Sequence, residues 1–491
     1  MKRDFLTATD FYQFLQCPHW PYYERFATPE ERKLKRPVTS AETRRFENGV
    51  AHEHDVINRL FVGQVIREVA ADEDLESAFQ KTLKLMEEGV PLIYQGTLVD
   101  GDWAGRPDLL ERHEGESRLG NWFYVPVDVK SSHALEKYHK LQLTFYATLL
   151  ERVQKRFPAE PAIINRDGER IPFLAGEFVS EFDCFVLELE RIRAGEKPDP
   201  VLRKSCFDTG TWGVLCERFA KETNDIALLF NVDIGKLKSL RSLGIRTVDD
   251  AAEMDPEKLD GQAKGLRQHG LEVMKRQAQS LRTQEVIIRE PFQIPNTPLE
   301  IHFDIESDPP NDRDYLYGFL IRSEGVDSYR AFVAKNLEDE EKMWKSFLEW
   351  LETLPADYVV YHFAPYELTR LGILEKRYGG SAWLDLFRSH MVDLKELVTH
   401  SVTFPLYFYG LKYIAKFLGF SWRGDVTSGG QSIDVFESYL ETRNEALLDS
   451  LLMYNEDDVR ATAFLKDWLE QYAKNIVSFG APYPWKKKPT A

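Results

Sequence analysis

Three closely spaced prolines divide this chain. Pro291, Pro295 and Pro298 fall within the segment Glu290–Pro298, and prolines at this spacing resist both a helix and a central strand. We therefore predict a linker here. The 491 residues exceed what one hydrophobic core usually holds, and we expect domains at residues 1–220, 221–290 and 291–491.

Strand and helix patterns alternate on both sides of a helical middle segment. Strands are predicted near Leu92–Leu98, Trp103–Glu111 and Trp122–Val129, and the alternation resumes from Leu299. Leu, Lys, Arg, Glu and Gln dominate residues 221–285, where we expect only helices. The predicted fold class is α/β multidomain with a small helical middle.

Composition and charge limit the functional classes. Hydrophobic residues make up 43% and charged residues 29% of the chain, as in soluble globular proteins. No stretch approaches the roughly 18 apolar residues of a membrane span, and the segment Met1–Phe5 lacks a secretory pattern, so we expect a cytoplasmic protein with no membrane partner. The net charge of −17 argues against a simple electrostatic DNA binder, although metal ions bound by carboxylates reverse the local field.

Four patterns in the N-terminal half place polar groups on predicted elements. The period of a strand puts Asp128 and Lys130 on one face. Asp108 is expected to end the neighbouring strand, after a hairpin turn at Asp100-Gly101. The remaining candidates are Glu53, in a helical region, and the pair Gln142 and Tyr146, which share a helix face.

These residue types suit phosphodiester hydrolysis with a hard divalent cation. Mg²⁺ prefers one or two carboxylates together with water and substrate oxygens. Asp108 and Asp128 can supply the carboxylates, and Glu53 can complete the shell. Lys130 can lower the pKa of the attacking water or neutralise developing charge. We expect its amine to be exposed and to contribute little to stability.

In order, the four patterns resemble the RecB-like branch of the PD-(D/E)xK nucleases over roughly residues 10–220. The resemblance implies a restriction-endonuclease-like α/β/α domain. Its helix ligand could fall on Glu53 or on His52, and the spacing from Gly49 favours Glu53. The alternative is an ordinary surface hairpin with a solvated Asp–Lys pair.

The segment around Cys17-Pro18 resembles the opening of RecB-like nucleases in which four cysteines hold an iron–sulfur cluster. Cys184, Cys206 and Cys216 stand downstream, but Thr209 occupies the position where the family's Cys-x-x-Cys step would end. Cys184 lies in an apolar helical run, where a buried thiol is expected. Cys17, Cys206 and Cys216 are thus candidate cluster ligands, and the alternative is a relic of a lost cluster.

The middle segment resembles a helix-hairpin-helix, a module that grips the DNA backbone. Residues 234–250 predict a short helix, a turn at Gly244 and a second helix, with Thr247 as N-cap and Asp250 in the first turn. The alternative is a helical spacer between two catalytic domains.

Acidic residues follow strand and helix patterns in the C-terminal half. Asp304 and Glu306 face one side of a predicted strand, two residues apart. Glu367 follows a second apolar strand, and Tyr454 and Asp458 are four apart on the final helix. Such carboxylates can bind divalent cations at one site.

Over about residues 299–470 this arrangement resembles the DEDD exonucleases of the ribonuclease H-like fold, in the subtype with a tyrosine. The resemblance implies that Asp304, Glu306, Glu367 and Asp458 bind two Mg²⁺ or Mn²⁺ ions, and that Tyr454 positions the attacking water. The third acid departs from the family pattern, because His362-x-x-x-Tyr366-Glu367 replaces Asn-x-x-x-Phe-Asp. Asp393 is a substitute or a helix cap, and the alternative for the whole domain is a degenerate form retained for binding.

Together the halves resemble a family of RecB-like nucleases whose relatives are sometimes fused to a superfamily 1 helicase. This implies a nuclease with two active sites acting on DNA, at single-stranded or frayed ends, in repair or processing, with a helicase as partner. The chain itself has no Gly-x-x-x-x-Gly-Lys-Ser/Thr pattern. The alternative is a nucleic-acid-binding adaptor, non-catalytic or half-active, of a helicase complex.

Overall fold

The computed structural model describes residues 5–70, 74–132, 135–208, 210–426 and 428–475; Thr209 lies outside them. The chain divides into two compact units, residues 1–222 and residues 223–491. The helical middle segment therefore belongs to the second unit. The predicted mixed α/β architecture is confirmed, and no described helix is both long enough and apolar enough to cross a bilayer.

Unit 1 combines short helices, a mixed sheet and two long helices. Its helices are Ala8–Gln16 (α1), His19–Phe26 (α2), Pro29–Arg32 (α3), Ser40–Leu60 (α4), Leu75–Glu87 (α5), Lys137–Gln154 (α6), Val179–Arg193 (α7), Lys204–Asp208 (α8) and Gly213–Glu222 (α9). Its strands are Ile66–Glu68 (β1), Leu92–Tyr94 (β2), Leu98–Asp100 (β3), Trp103–Gly105 (β4), Leu109–Ser117 (β5), Gly120–Val129 (β6), Ala162–Ile164 (β7) and Arg170–Pro172 (β8).

Six of the described strands of unit 1 form one sheet in the order β1-β2-β5-β6-β7-β8. Strands β5 and β6 pair antiparallel, and β6 pairs parallel with β7. Helix α6 packs on this sheet through Leu141, Phe145 and Leu149, which are fully buried. Burying each such side chain contributes about 1.5–3 kcal/mol, which fixes α6 beside the end of β6.

The hairpin at Asp100-Gly101 is confirmed, since it joins β3 and β4. The prediction that Asp108 ends a strand is wrong. Strands β3 and β4 form a separate two-stranded sheet, and Asp108 immediately precedes β5. Pro107 explains the break, because a proline cannot donate a ladder hydrogen bond.

Unit 2 begins with helices and continues into a second mixed sheet. Its helices are Ile234–Ser242 (α10), Val248–Glu253 (α11), Pro256–Leu259 (α12), Gln268–Thr283 (α13), Glu340–Leu351 (α14), Tyr366–Tyr378 (α15), Ala382–Ser389 (α16), Leu394–Ser401 (α17), Leu411–Phe417 (α18), Gly429–Thr442 (α19) and Glu445–Asn475 (α20). Its strands are Ile287–Ile288 (β9), Leu299–Asp308 (β10), Arg313–Ser323 (β11), Val326–Val333 (β12), Tyr358–His362 (β13), Met391–Asp393 (β14) and Val402–Thr403 (β15).

The described part of the main sheet of unit 2 has five strands in the order β12-β11-β10-β13-β14. Strands β10, β11 and β12 pair antiparallel, whereas β13 and β14 join parallel. The predicted alternation along β10 is confirmed: Ile301, Phe303 and Ile305 enter an aromatic core. Asp304 and Glu306 therefore lie on the opposite face of β10, away from this core.

The helices predicted in the middle segment are confirmed, and the predicted linker lies within the second compact unit, where Phe292 is buried. Helices α10 and α11 flank a turn at Gly244, whose φ of +84° is the left-handed conformation that glycine adopts without strain. Thr247 accepts a hydrogen bond from Asp250 N and caps α11 as predicted. Residues 289–298 have no helix or strand.

Candidate active sites

Three carboxylates of unit 2 converge at one point. Asp304 and Glu306 come from the polar face of β10, and Asp458 comes from α20. One oxygen of each lies within 4.8 Å of the others. This spacing lets all three reach one hard divalent cation.

Hydrogen-bond donors hold each of these carboxylates in place. Ser432 Oγ donates to Glu306 Oε2 over 3.0 Å. Asn455 Nδ2 donates to Asp304 Oδ2 over 2.9 Å, and Trp422 Nε1 donates to Asp458 Oδ1 over 2.7 Å. The acids are therefore oriented before any ion arrives.

A glycine lets α20 approach the sheet at this point. Gly318 stands opposite Asp304 in the β10–β11 register, and a Cβ on it would collide with the Asn455 carboxamide. Glycine at position 318 thus permits the hydrogen bond between Asn455 and Asp304.

Tyr454 and Lys412 lie beside the three acids. Lys412 Nζ donates to the Tyr454 hydroxyl over 2.5 Å, and it lies 3.9 Å from Asp458 Oδ2. Because an ammonium group can only donate, the tyrosine oxygen accepts and keeps its own proton to donate. Burial and the Asp458 carboxylate raise the pKa of Tyr454, so the hydroxyl stays protonated.

Crowding of acids shapes the electrostatics of this site. Burial and Asp458 raise the pKa of Glu306 to about 8. Burial, Glu306 and Asp458 raise the pKa of Asp304 well above its usual range. Burial also raises the pKa of Asp458, which Lys412 partly opposes. Because repulsion keeps these three carboxyl groups from all being ionised at once, a divalent cation that binds them would displace the protons that they hold.

The fourth predicted ligand, Glu367, does not join the three acids. Its Oε2 lies 3.3 Å from His362 Nδ1, and both side chains are buried. The backbone turns sharply between them at Ala364, whose φ is +82°, and α15 starts at Tyr366, so Glu367 points back at the end of β13. Glu367 still acts on the site at longer range, because its charge adds to the raised pKa of Asp304.

Asp393 is a helix cap, as one alternative predicted. Its Oδ1 accepts hydrogen bonds from Lys395 N and Ala364 N, each at 2.8 Å. An oxygen engaged by backbone donors in this way is the usual N-cap arrangement.

In unit 1, Asp108, Asp128 and Lys130 lie together where β5 begins and β6 ends. Asp108 N donates to Asp128 Oδ1 over 3.2 Å, and Val129 N donates to Asp108 Oδ2 over 2.8 Å. Lys130 Nζ lies 3.0 Å from Asp128 Oδ2 and 3.8 Å from Asp108 Oδ2. The two carboxylates and the amine thus face one another.

The expectation of an exposed lysine amine is wrong. The Lys130 side chain is 21% exposed, and its partner Asp128 is 1% exposed. Burial alone would lower the pKa of Lys130, but Asp128 and Asp108 outweigh it and raise that pKa. Lys130 therefore stabilises a buried carboxylate as well as facing the site.

Glu53 faces the same acids from α4. Gln95 Nε2 donates to its Oε1 over 2.7 Å. Burial and Asp128 raise the pKa of Asp108 to about 8, and Glu53 adds to the rise. Because the charge of Glu53 affects the pKa of Asp108, Glu53 rather than His52 is the better candidate for the ligand contributed by the helix.

Gln142 and Tyr146 share a face of α6, as predicted. Gln142 Nε2 donates to the Tyr146 hydroxyl over 3.3 Å. Burial and Asp128 raise the pKa of Tyr146, which therefore stays protonated beside the acids.

Three of the four cysteines cluster in unit 1. Cys17 Sγ lies 3.2 Å from Cys216 Sγ, and Cys206 packs in the same buried group. The expectation that Cys184 is buried is wrong, because Cys184 is exposed. Phe182, Leu189 and Ile192 turn to the core of unit 1, and Cys184 falls on the other face of α7.

Several side chains that orient the acids of unit 2 were not predicted as site residues. Lys412 lies near the start of α18 and was not among the predicted site residues. Asn455, Trp422 and Ser432 belong to no sequence pattern. Their roles follow from contacts between segments far apart in the chain.

Residues 301–470 match the model of the RNase_H superfamily, and no curated protein matches the chain. Nucleases of this superfamily typically use divalent metals, and the acidic group in β10 and α20 could bind one. The match implies nucleic-acid binding and indicates a nuclease-like function. The C-terminal part of this chain is an RNase H-like domain.

Proposed function

We propose that this chain is a Mg²⁺- or Mn²⁺-dependent nuclease that hydrolyses phosphodiester bonds of DNA at two sites, one in each unit. The main support is the convergence of three carboxylates within 4.8 Å beside a protonated tyrosine. A solvated cluster of surface acids would have neither the buried donors nor the raised pKa of Glu306.

At the site of unit 2, Asp304, Glu306 and Asp458 would hold the ion, which when bound activates water and neutralises charge on the phosphate. Lys412 fixes the oxygen of Tyr454 by donating to it. The tyrosine O–H keeps its proton and faces the Asp458 carboxylate, and in the proposed enzyme it would donate to that carboxylate, to a water or to a phosphate oxygen. Because Trp422 and Asn455 hold the acids in position, little reorganisation is needed at the moment of reaction.

The His362–Glu367 pair gives this site a second acid–base group. Burial would lower the pKa of His362, but Glu367 outweighs it and raises that pKa. In the proposed enzyme Glu367 takes the place of the family's third acid, and it would be the residue available to help hold a second ion.

At the site of unit 1, Asp108 and Asp128 would hold the ion with help from Glu53. Lys130 acts on charge that develops on the scissile phosphate, where a fixed cation lowers the barrier. Gln142 and Tyr146 line the flanking helix and offer donors to the substrate. The likeness to RecB-like nucleases supports this half of the proposal.

The proposed substrate is single-stranded or frayed DNA, which the site of unit 2 trims from the 3′ end during repair or processing. A superfamily 1 helicase is the proposed partner, because it would supply such strands. The segment of α10 and α11 is proposed to contact the DNA backbone, on its likeness to a helix-hairpin-helix.

The test is a nuclease assay on 5′- and 3′-labelled strands with Mg²⁺ or Mn²⁺. Asp458→Asn should abolish 3′ trimming, whereas Asp467→Asn, on the exposed side of the same helix, should not. Asp128→Asn should abolish the other cleavage, with the exposed Asp183→Asn on α7 as its control. Binding of labelled DNA without any metal-dependent cleavage would refute the proposal in favour of an adaptor.

A further inference from the structure

A buried group of sulfur and nitrogen donors lies where the two ends of unit 1 meet. Cys17 follows α1, His19 opens α2, Cys206 lies in α8 and Cys216 lies in α9. All four side chains are at most 2% exposed. Nothing in the nuclease chemistry proposed above uses this group.

The spacing of three of the donors fits a single ion, since one donor atom each of Cys17, His19 and Cys216 lies within 4.8 Å of the others. Cys206 packs in the same buried cluster as Cys17 and Cys216, and its thiol lies 3.4 Å from the Val201 carbonyl oxygen. In a tetrahedral zinc site with Zn–S bonds of about 2.3 Å, sulfurs lie about 3.8 Å apart. The observed 3.2 Å between Cys17 and Cys216 Sγ is shorter than that value, so the two sulfurs must separate slightly to bind the ion, and it is too long for a disulfide.

The hydrogen bonding of His19 leaves one ring nitrogen ready to bind a metal. Its Nε2 lies 2.8 Å from the carbonyl oxygen of Pro198, and since a carbonyl can only accept, Nε2 carries the proton. Nδ1 then holds a lone pair, and it is buried with no hydrogen-bond partner among the described residues. Metal-binding histidines characteristically donate their other N–H to a backbone carbonyl or a carboxylate in this way.

We propose that Cys17, His19, Cys206 and Cys216 bind one zinc ion in a closed Cys₃His site. An iron–sulfur cluster fits less well, because it needs thiolates spread over several irons, and the fourth cysteine, Cys184, is exposed elsewhere. Four buried protein ligands leave no open position, which is the mark of a structural rather than a catalytic zinc.

The site joins distant parts of the sequence. Cys17 and Cys216 are 199 residues apart, so the ion closes a loop that spans nearly all of unit 1. The turn beside Cys206 is built for close approach, because a Cβ on Gly210 would lie 2.6 Å from the Cys206 carbonyl oxygen. The zinc thus links α1 and α2 to α8 and α9, the last two helices of unit 1.

The test measures zinc, iron and acid-labile sulfide in the purified full chain after dialysis. The wild type should retain one zinc per chain with neither iron nor sulfide. His19→Ala and Cys216→Ser should bind zinc at least roughly tenfold more weakly, since each removes one ligand of a tetrahedral site. Cys184→Ser is the matched control and should retain zinc fully.

His19→Cys keeps a fourth ligand and should retain zinc, which separates loss of a ligand from a failure to fold. Removing zinc from the wild type should lower the melting temperature, and re-adding Zn²⁺ alone should restore it. Iron with sulfide in the wild type, no bound metal, or zinc affinity in His19→Ala equal to that of the wild type would each overturn the proposal. None of these results depends on nuclease activity.

Discussion

The metal-free protein should lose stability as the pH rises, and Glu306 gives the size of the effect. Its pKa is raised from 4.5 to about 8 in the folded state. Between these values the folded protein binds a proton that the unfolded chain has released. The contribution of Glu306 to the free energy of unfolding is therefore fully present below about pH 4.5, the pKa in the unfolded chain. It falls as the pH rises from there to about 8, the pKa in the folded protein.

One extra bound proton corresponds to about 1.4 kcal/mol per pH unit. From about pH 5 to about pH 7 the loss from Glu306 alone is therefore about 2–3 kcal/mol. For a unit of this size that corresponds to a fall of roughly 5–10 °C in melting temperature. Asp304 and Asp458 act in the same direction, since burial raises both of their pKa values.

The assay is scanning calorimetry of the full chain without added Mg²⁺ or Mn²⁺ across this pH range. Glu306→Gln should flatten the decline, because the amide does not titrate and can still accept the hydrogen bond from Ser432. Glu349→Gln, on the exposed face of α14, is the control and should leave the slope unchanged. Added Mg²⁺ should abolish the decline by replacing the protons. A melting temperature that rises from about pH 5 to about pH 7, or a Glu306→Gln slope equal to that of the wild type, would refute the reasoning.

Three other substitutions give distinct outcomes. Asp304→Asn should remove most of the melting-temperature gain produced by Mn²⁺ and abolish 3′ trimming, while cleavage from unit 1 persists; an undiminished Mn²⁺ response would count against this ligand. Lys130→Ala should suppress cleavage by unit 1 and lower the free energy of unfolding by about 1–3 kcal/mol, because Asp128 loses its buried partner. The double variant Lys130→Ala/Asp128→Asn should regain the free energy of unfolding that Lys130→Ala lost, as measured by chemical denaturation. It should not regain cleavage by unit 1. Gly318→Ala should destabilise unit 2 by about 1–3 kcal/mol through overpacking against Asn455, and a denaturation midpoint equal to that of the wild type would contradict that contact.

Local patterns predicted most of what lies within one element. Strand periodicity placed Asp304 and Glu306 opposite the apolar side chains of β10, and the cap of α11 at Thr247 followed from residue types three apart. These features depend on backbone geometry, which repeats over a few residues whatever the rest of the chain does. The RNase H-like character of the C-terminal part was expected from the resemblance of its acidic pattern to the DEDD exonucleases, and residues 301–470 match that superfamily.

Other features depend on contacts that no local pattern encodes. Cys184 sits in an apolar run yet is exposed, because the core of unit 1 receives the other face of α7. Glu367 follows its strand as expected, but the turn at Ala364 directs it to His362.

The sequence by itself determined which elements carry acids and which face each acid takes, because both follow from the short repeat of strand and helix. Only the tertiary structure decided that Lys412 donates to Tyr454 and that His19 lies beside Cys17 and Cys216. Those partners come from segments far apart in the chain, and which of them meet is set by the packing of whole helices against sheets. Packing sums many small apolar contacts over the entire unit, so no single stretch of sequence contains it.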